Sequence, residues 1–302
     1  MTHALAPIAL FAYKRPDHLS RALASLRANP EAAGSRLVVF CDGSKGEADA
    51  AGVAAVRELT SRIEGFGTVE VHRRDANAGL ASSITEGVAR VLDTHGRVIV
   101  VEDDLVVAPG FLRYMNEALA LYAHDEAVAS VHAYLYPLPG RLPHTFFLRG
   151  ADCWGWATWA RAWRHFDADG ARLLAQLRAG ALTHAFDLDG AYPYTRMLED
   201  QIAGRNDSWA IRWHASAYLR NMLTLYPGHS LVHNIGNDAS GTHSGHTQVF
   251  EARFSGTPPR VERLALREDA AARRQVAAFL RSTQAPRHAG WRARLRSLLR
   301  GN

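Results

Sequence analysis

Short apolar runs alternate along the first third of this chain with longer segments in which apolar residues recur every three or four positions. The short runs are rich in Val, Ile and Leu, as buried strands are, and the longer segments show the spacing of helices packed on one face. The pattern predicts strands at 6–11, 37–40, 69–72 and 98–101, and helices at 18–28, 48–63 and 80–94. Helical crossovers of this length allow parallel pairing, so we predict an α/β fold: an open, mostly parallel sheet with helices on both faces.

The rest of the chain is less regular. A helix from Phe111 to about 123 and a strand at 127–132 continue the alternation, whereas residues 134–150 are rich in Pro and Gly and predict a loop over the sheet edge. Trp154, Trp156, Trp159 and Trp163 follow at spacings that suit a helix packed into the core. Further along we predict helices at 172–182 and 268–281, an irregular segment at 188–206 and a strand-like run at 223–226.

One predicted strand ends in three consecutive acids, Glu102, Asp103 and Asp104. Three adjacent carboxylates repel one another and resist burial, so an apolar strand that leads directly into them needs an explanation. A divalent cation with oxygen ligands would supply one, and a helix cap or simple exposure to solvent would supply another. If the chain stays extended, Glu102 and Asp104 share a face and Asp103 points the other way.

Polar residues also follow the other predicted strands. Tyr13 and Arg15 come after the first strand, Asp42 after the second, and Arg73 and Asn77 after the third. Ligands of open α/β sheets bind outside the carboxyl ends of the strands, so these side chains predict a nucleotide site at one edge. The chain lacks both a G-x-G-x-x-G sequence after the first strand and a G-x-x-x-x-G-K-[ST] loop, which disfavours a dinucleotide-binding fold and a P-loop enzyme.

The composition is ordinary for a globular protein, with 47% hydrophobic and 22% charged residues among 302. The net charge of +5 equals the number of arginines in the acid-free segment 286–302, so the basic character belongs to this tail. The tail can form a short amphipathic helix that attaches to an anionic membrane, or it can be a solvated terminus. No nucleic-acid-binding signature accompanies it, and we expect no nucleic-acid partner.

The sequence contains few signals of cellular location. No apolar run approaches the ~20 residues of a membrane span, and the N-terminus lacks the basic start of a signal peptide. The two cysteines, Cys41 and Cys153, have neither a metal-binding nor a redox spacing and are expected to be packing residues in a reducing compartment. These features together predict a cytoplasmic protein, with peripheral contact at the inner membrane face if the tail binds there.

Three segments carry a family resemblance. They are the stretch from Phe11 to Leu19, the sequence Cys41-Asp42-Gly43-Ser44, and Val100 to Asp104 with the later Pro109-Gly110-Phe111. Together they resemble the nucleotide-sugar glycosyltransferases of the GT-A fold, closest to family-2-like proteins related to the N-acetylglucosaminyltransferase I type. The resemblance covers roughly residues 6–250. It divides the chain into a domain at 1–255 (nucleotide-binding half 1–132, acceptor-side half 133–255), a linker and helix at 256–285, and the tail.

The resemblance implies metal-dependent transfer of a sugar from a nucleotide-diphospho-sugar, with a UDP-sugar favoured, to a hydroxyl of a glycan or lipid-linked saccharide. It implies that Asp104 binds Mn²⁺ or Mg²⁺ and that Glu102 or Asp103 binds ribose or orients a metal-bound water. Asp42 would contact the base or ribose, and His243 the metal or diphosphate. Tyr13, Arg15, Arg73 and Asn77 remain nucleotide-binding candidates, with ion pairs or turn contacts as their alternative. Trp154 or Trp156 is expected near the donor sugar, although core packing is the commoner use of such a cluster.

Inverting members of the family use one carboxylate as a general base. Asn206-Asp207-Ser208-Trp209 resembles the acidic pair before tryptophan that carries the base, although Ser208 replaces the second acid. We therefore favour Asp207 over Asp200, and a helix cap or surface carboxylate is the alternative for either. Two rival functions remain. A nucleotidyltransferase would need a glycine-rich loop that residues 12–16 lack, and a non-catalytic carbohydrate-binding protein would tolerate the loss of Asp104 and Asp207.

Overall fold

The computed structural model describes residues 4–236, 238, 249–252 and 257–284. Within these ranges, none of the helices combines the length and the apolar character needed to cross a bilayer. His243, His246 and the basic tail at 286–302 lie outside the described residues.

In the first third of the chain, strands and helices alternate as the sequence predicts. The strands are β1 (Ile8–Ala12), β2 (Arg36–Cys41), β3 (Thr68–Arg73), β4 (Arg97–Glu102), β5 (Leu105–Val107), β6 (Val128–His132), β7 (Thr145–Arg149), β8 (Trp156–Trp159), β9 (Leu223–Pro227) and β10 (Val232–Asn234). The helices are α1 (Pro16–Arg27), α2 (Glu47–Thr60), α3 (Leu80–His95), α4 (Phe111–Leu121), α5 (Ala160–Trp163), α6 (Gly170–Ala179), α7 (Thr183–Phe186), α8 (Tyr194–Ile202), α9 (Trp209–Leu219) and α10 (Ala270–Gln284). A short 3₁₀ helix at Pro30–Gly34 precedes β2.

The main sheet has the strand order β3-β2-β1-β4-β8-β6-β9-β7. Strands β1 to β4 pair in parallel, β8 runs antiparallel between β4 and β6, β6 and β9 are parallel, and β7 is an antiparallel edge strand. A second, two-stranded sheet pairs β5 with β10. The predicted α/β class, a mostly parallel sheet with helices on both faces, is confirmed.

Both faces of β1 are buried, which explains why its sequence has no polar positions. Ile8 and Leu10 belong to a core that includes residues of α1 and α4, whereas Ala9 and Phe11 belong to a core that includes residues of α3. Helix α3 approaches the sheet closely at Gly87, where an added Cβ would lie 2.6 Å from the Phe11 ring. Because β1 is covered on both faces, it can contact a ligand only at its carboxyl end.

Some local predictions are wrong. The segment 134–150 contains the edge strand β7, because the apolar run at Phe146–Leu148 pairs with β9 despite the surrounding Pro and Gly. The segment 188–206, predicted to be irregular, contains α8. Trp156 and Trp159 lie on a strand and not on the predicted helix, since β8 is inserted between β4 and β6 and buried on both faces.

The C-terminal helix packs on the edge of the sheet. Ala272, Val276 and Leu280 of α10 contact a cluster that includes Phe146 and Leu148 of β7. Asp269 caps this helix, because its Oδ1 accepts hydrogen bonds from the backbone N–H groups of residues 271 and 272 at 2.9 Å. The predicted helix at 268–281 is confirmed, and it covers a strand edge that would otherwise be open to pairing.

Candidate functional site

The acidic triplet lies where β4 ends and the chain turns. Glu102 is the last residue of β4, residues 103 and 104 form a turn, and β5 begins at Leu105. The Asp103 N–H donates to the Phe11 carbonyl at 2.9 Å, and the Asp104 carbonyl accepts the Ile235 N–H at 2.8 Å. These bonds fix the turn between β1 and the segment after β10.

Asp103 and Asp104 both contact the guanidinium of Arg15. The Arg15 Nη2 atom lies 2.9 Å from Asp104 Oδ2 and also donates to Asp103 Oδ1. The expectation for an extended chain, that Asp103 points away from Asp104, is wrong because the turn brings the two side chains together. Arg15, a predicted nucleotide contact, pairs with both acids in this structure.

Burial and mutual repulsion shift the protonation of this group. Burial raises the pKa of Glu102 to about 8, and the charges of Asp104 and Asp103 add to the effect. Burial also raises the pKa of Asp103 to about 6, although the adjacent Arg15 opposes the shift. Burial by itself lowers the pKa of Arg15, but the charges of Asp103 and Asp104 outweigh the effect of burial and raise this pKa overall. Burial and the presence of three acids beside a single counter-charge therefore both disfavour full ionisation of the triplet.

The geometry fits a divalent cation whose coordination shell is completed by a substrate. Arg15 Nη2 marks a point within hydrogen-bonding reach of one oxygen from Asp103 and one from Asp104, so the two carboxylates can share one positive charge. In the described part of the chain, no three His, Cys, Asp or Glu side chains are grouped closely enough to hold a metal ion. Mg²⁺ is commonly held by one or two carboxylates together with substrate phosphates. The Asp103 and Asp104 pair matches that arrangement better than it matches a site built from protein ligands alone. The predicted contact of His243 lies outside the described residues.

Asp42 and Asn77 connect the loops after β2 and β3. The buried Asp42 carboxylate accepts hydrogen bonds from the N–H groups of Gly43, Ala78 and Gly79 at 2.9 to 3.0 Å. The Asn77 amide donates to the Gly43 carbonyl at 2.9 Å. Both predicted nucleotide contacts therefore shape the rim of the site through the backbone.

A polar cleft of about 310 Å³ lies beside these loops. Arg73, predicted to bind nucleotide, lines it, and so do Phe40, Cys41, Asp42, His72, Arg74, Ser83, Glu86, Gly87 and Arg90. The Phe40 and His72 rings stack with centroids 5.0 Å apart. A larger cavity of about 380 Å³ lies between α1 and α2 and contains none of the predicted site residues. Of the two, only the cleft adjoins the strand ends.

Tyr13 is anchored by a residue that the sequence did not reveal. Its hydroxyl donates to Asp49 Oδ2 at 2.6 Å and accepts the Lys45 N–H at 3.0 Å, and Lys14 pairs with the same carboxylate at 2.6 Å. Asp49 lies on α2, 36 residues from Tyr13, and nothing in the pattern around it distinguishes it from other helical acids. The contact holds the loop after β1 against the start of α2.

Trp156 lies in the core. Its side chain is fully buried, and its ring centroid lies 5.6 Å from that of Trp163, 5.3 Å from that of Trp209 and 6.4 Å from that of Trp213. This placement leaves no ring face for a donor sugar, so the packing alternative describes Trp156. Trp154 is partly exposed and contacts Tyr134, with ring centroids 4.7 Å apart.

The two candidate bases lie in different surroundings. Asp200 on α8 is held by Arg196 at 3.0 Å and Arg205 at 2.7 Å, and the hydrogen bond from Arg205 lowers its pKa. Asp207 precedes the N-cap residue of α9, its side chain is 63% exposed, and Arg212 is 3.6 Å away. A Cβ added to Gly79 would lie 3.7 Å from Asp207 Oδ2, so Asp207 adjoins the loop that Asp42 holds. The structure thus places Asp207 beside the loop that follows β3 and Asp200 in ion pairs with two arginines.

The sequence matches no protein-family model and none of the curated proteins. Among solved structures, the chain is similar to a crystal structure of GalNAc-T7 with UDP, GalNAc and Mn²⁺, with a TM-score of 0.39 and 12% identity over 55% of this chain and 37% of that chain. It is also similar to a crystal structure of S. aureus TarS, with a TM-score of 0.31 and 16% identity over 49% of this chain and 24% of that chain. The matched region spans about a third of the first of these chains and about a quarter of the second.

Proposed function

We propose that this chain transfers a sugar from a nucleotide-diphospho-sugar to a hydroxyl group and requires a divalent cation to do so. The observation that carries the proposal is the convergence of the Asp103 and Asp104 carboxylates on one point at the end of β4. A diphosphate placed against two carboxylates is repelled unless a cation lies between them, so an acidic pair at the carboxyl end of a strand suits a metal-bridged diphosphate.

Each part of the site then has a task. Asp104 and Asp103 would hold Mn²⁺ or Mg²⁺, which would neutralise the charge that develops on the departing nucleotide diphosphate. The cleft beside Asp42 and Arg73 would hold the nucleoside, for which a uridine is favoured. Arg15, displaced from the acids by the cation, would donate to the phosphates, since a guanidinium matches phosphate geometry.

Asp207 is the base that we favour. It would accept the proton of the acceptor hydroxyl while the hydroxyl oxygen bonds to the anomeric carbon and the bond to the diphosphate oxygen breaks, which inverts the configuration at that carbon. The proximity of Asp207 to Gly79 supports this choice, whereas the carboxylate of Asp200 is already paired with two arginines. The acceptor would be a hydroxyl of a saccharide, free or lipid-linked.

Thermal stabilisation by nucleotides tests this function. We expect UDP, and not GDP, CMP or dTDP, to raise the melting temperature of the wild type, and only when Mn²⁺ is present, because a ligand that binds the native state stabilises it by mass action. Asp104→Ala should lose the Mn²⁺-dependent shift. Asp93→Ala, which removes an exposed carboxylate on α3, is the matched control and should keep it.

Other outcomes identify the rival functions. Stabilisation by a nucleoside triphosphate alone would favour a nucleotidyltransferase. If no nucleotide shifts the wild type and Asp104→Ala behaves as the wild type does, the proposal fails and a non-catalytic protein is favoured.

A further inference from the structure

Residues 150–155 form a connection that crosses from the edge strand β7 back to β8 in the middle of the sheet. The connection begins where the Gly150 N–H donates to the Met222 carbonyl at 2.9 Å, and it ends at Trp156, which pairs with His132 of β6. The His214 Nδ1 atom of α9 lies 2.7 Å from the Ala151 carbonyl oxygen. Contacts at both ends and in the middle therefore fix its course.

This connection places the Asp152 carboxylate beside the carboxyl ends of β6 and β9. The Tyr226 hydroxyl donates to Asp152 Oδ2 at 3.3 Å, and the Cys153 N–H donates to Oδ1 at 2.8 Å. The His132 Nε2 atom lies 3.6 Å from Oδ2, beyond a normal hydrogen bond. The Asp152 side chain is 25% exposed, so it has acceptor capacity left on a side that solvent reaches.

His132 gives a second, independent sign of an incomplete site. Its side chain is fully buried, and within the described residues neither of its ring nitrogens has a hydrogen-bond partner. Burial lowers its pKa, which favours the neutral ring, so His132 does not neutralise Asp152 by charge. A buried polar group without a partner is costly, and a hydroxyl bound at Asp152 could supply one.

A connected set of aromatic rings reaches the residues next to Asp152. Tyr194 contacts His214, the partner of Ala151, with ring centroids 4.7 Å apart, and Tyr136 contacts Tyr134, with centroids 5.4 Å apart. Tyr192 and Tyr194 are partly exposed and have ring centroids 4.7 Å apart, and Tyr136 and Trp154, also partly exposed, both contact the ring of Phe250. Burial raises the pKa of Tyr136, Tyr192, Tyr194 and Tyr226, and the charge of Asp152 contributes to each shift. A carboxyl group with phenol hydroxyls and ring faces nearby is suited to a ligand that has both hydroxyl groups and apolar C–H faces.

The place of Asp152 relative to the acidic triplet is set by the sheet. Strand β8 pairs antiparallel with β4 up to Val100, so the residues just before Trp156 run beside those just after Val100. Burial raises the pKa of the Cys153 thiol, and the charges of Asp152, Glu102 and Asp104 all add to the shift. Asp42, which directly follows β2, lies on the other side of β4. The triplet therefore separates the nucleotide cleft from Asp152.

Helix α9 connects these parts. Asp207 precedes its N-cap residue and adjoins Gly79, and His214 on the helix contacts Ala151. The proposed base thus lies at the start of the helix that also supports the connection carrying Asp152.

We propose that Asp152, with Tyr226 and the partly exposed rings of Tyr136, Tyr192 and Tyr194, forms the subsite that binds the acceptor sugar. The Asp152 carboxylate accepts hydrogen bonds from hydroxyl groups of a pyranose ring, and the aromatic rings contact its C–H faces. This inference rests on the proposed function, because it is the transfer reaction that calls for an acceptor. It adds a binding residue that the sequence pattern did not indicate.

Binding of simple glycosides to the full chain tests the subsite. The probes are p-nitrophenyl glucopyranoside, galactopyranoside and N-acetylglucosaminide, each titrated in the presence of UDP and Mn²⁺ and followed by saturation-transfer NMR. We expect at least one to bind the wild type, and Asp152→Asn to weaken it about tenfold or more, because a hydrogen bond to a charged group is lost. Tyr226→Phe, which keeps the ring, should weaken it less, and Asp93→Asn on α3 is the matched control.

Stabilisation by UDP with Mn²⁺ is measured on the same variants and separates the two proposals. If Asp152→Asn keeps this stabilisation and loses the glycoside, the subsite is supported. If the wild type is stabilised by UDP but binds none of the glycosides, or if Asp152→Asn and Tyr226→Phe bind them as the wild type does, the subsite is overturned while the proposed function stands. If UDP does not stabilise the wild type, the proposed function itself fails. A loss of UDP stabilisation in Asp152→Asn would show a general structural role and would also overturn the subsite.

Discussion

At the scale of single residues, the contact that defines the candidate site joins parts of the chain that are far apart. Arg15 follows β1, and its partner Asp103 lies 88 positions later. The sequence predicted that both lie at one edge, because both follow buried parallel strands. It did not predict their pairing, since whether a strand end turns or stays extended depends on neighbours such as the Phe11 and Ile235 backbone groups.

Replacing Arg15 tests whether two carboxylates depend on one charge. Arg15→Ala leaves Asp103 and Asp104 adjacent in a largely buried turn, and we expect a loss of about 2–4 kcal/mol in the free energy of unfolding, as for other broken buried pairs. Lys14→Ala is the matched control, because the Lys14 side chain is 41% exposed and pairs with Asp49 at the surface, where such pairs contribute little. Urea unfolding measures both.

The same variants report on the metal. A cation that binds between the two acids should stabilise Arg15→Ala more than the wild type, because it no longer competes with the guanidinium. Equal unfolding free energies for Arg15→Ala and Lys14→Ala, or equal Mn²⁺ effects on Arg15→Ala and the wild type, would contradict this account of Arg15.

At the scale of elements, the sequence predicted best where strands and helices alternate regularly. The strands β1 to β4 and the helices between them follow from short apolar runs and helical spacing, because each element buries its own apolar residues against its neighbours in sequence. Strands β7 and β8 were missed for two different reasons. β7 lies among Pro and Gly residues, and the tryptophans of β8 have a helical spacing although their neighbours are β4 and β6. Asp152 was missed together with these strands, because it lies on the connection between them.

The contact between α3 and β1 can be tested at one glycine. An alanine at Gly87 would favour the helix by up to about 1 kcal/mol in isolation, yet its Cβ would lie 2.6 Å from the buried Phe11 ring. We expect the packing cost to dominate and Gly87→Ala to destabilise the fold by about 1–3 kcal/mol, as overpacked cores do. Asp93→Ala on the exposed side of the same helix should change the unfolding free energy by less than about 0.5 kcal/mol. A stabilised Gly87→Ala variant would contradict this packing.

At the scale of the whole molecule, the charge is distributed unevenly along the chain. The five arginines of residues 286–302 equal the net charge of +5, so the rest of the chain is close to neutral. A near-neutral body has little general attraction for an anionic surface, and any such attraction is concentrated in the segment that follows α10. For an enzyme with a lipid-linked acceptor, such attraction would bring the protein to the surface that carries its substrate.

Vesicle binding measures this effect. Each basic residue close to an anionic membrane contributes about 1 kcal/mol, so we expect the full chain to sediment with phosphatidylserine-containing vesicles at low salt and to be released as the salt concentration rises. A variant that ends at Gln284 should stay in the supernatant and keep its stabilisation by UDP and Mn²⁺. All the proposed site residues, His243 included, precede this position. A full-length variant with glutamine at the five arginines separates charge from apolar contact: it should also stay in the supernatant. Equal sedimentation of the full chain and the glutamine variant would show that charge does not attach the protein to the membrane.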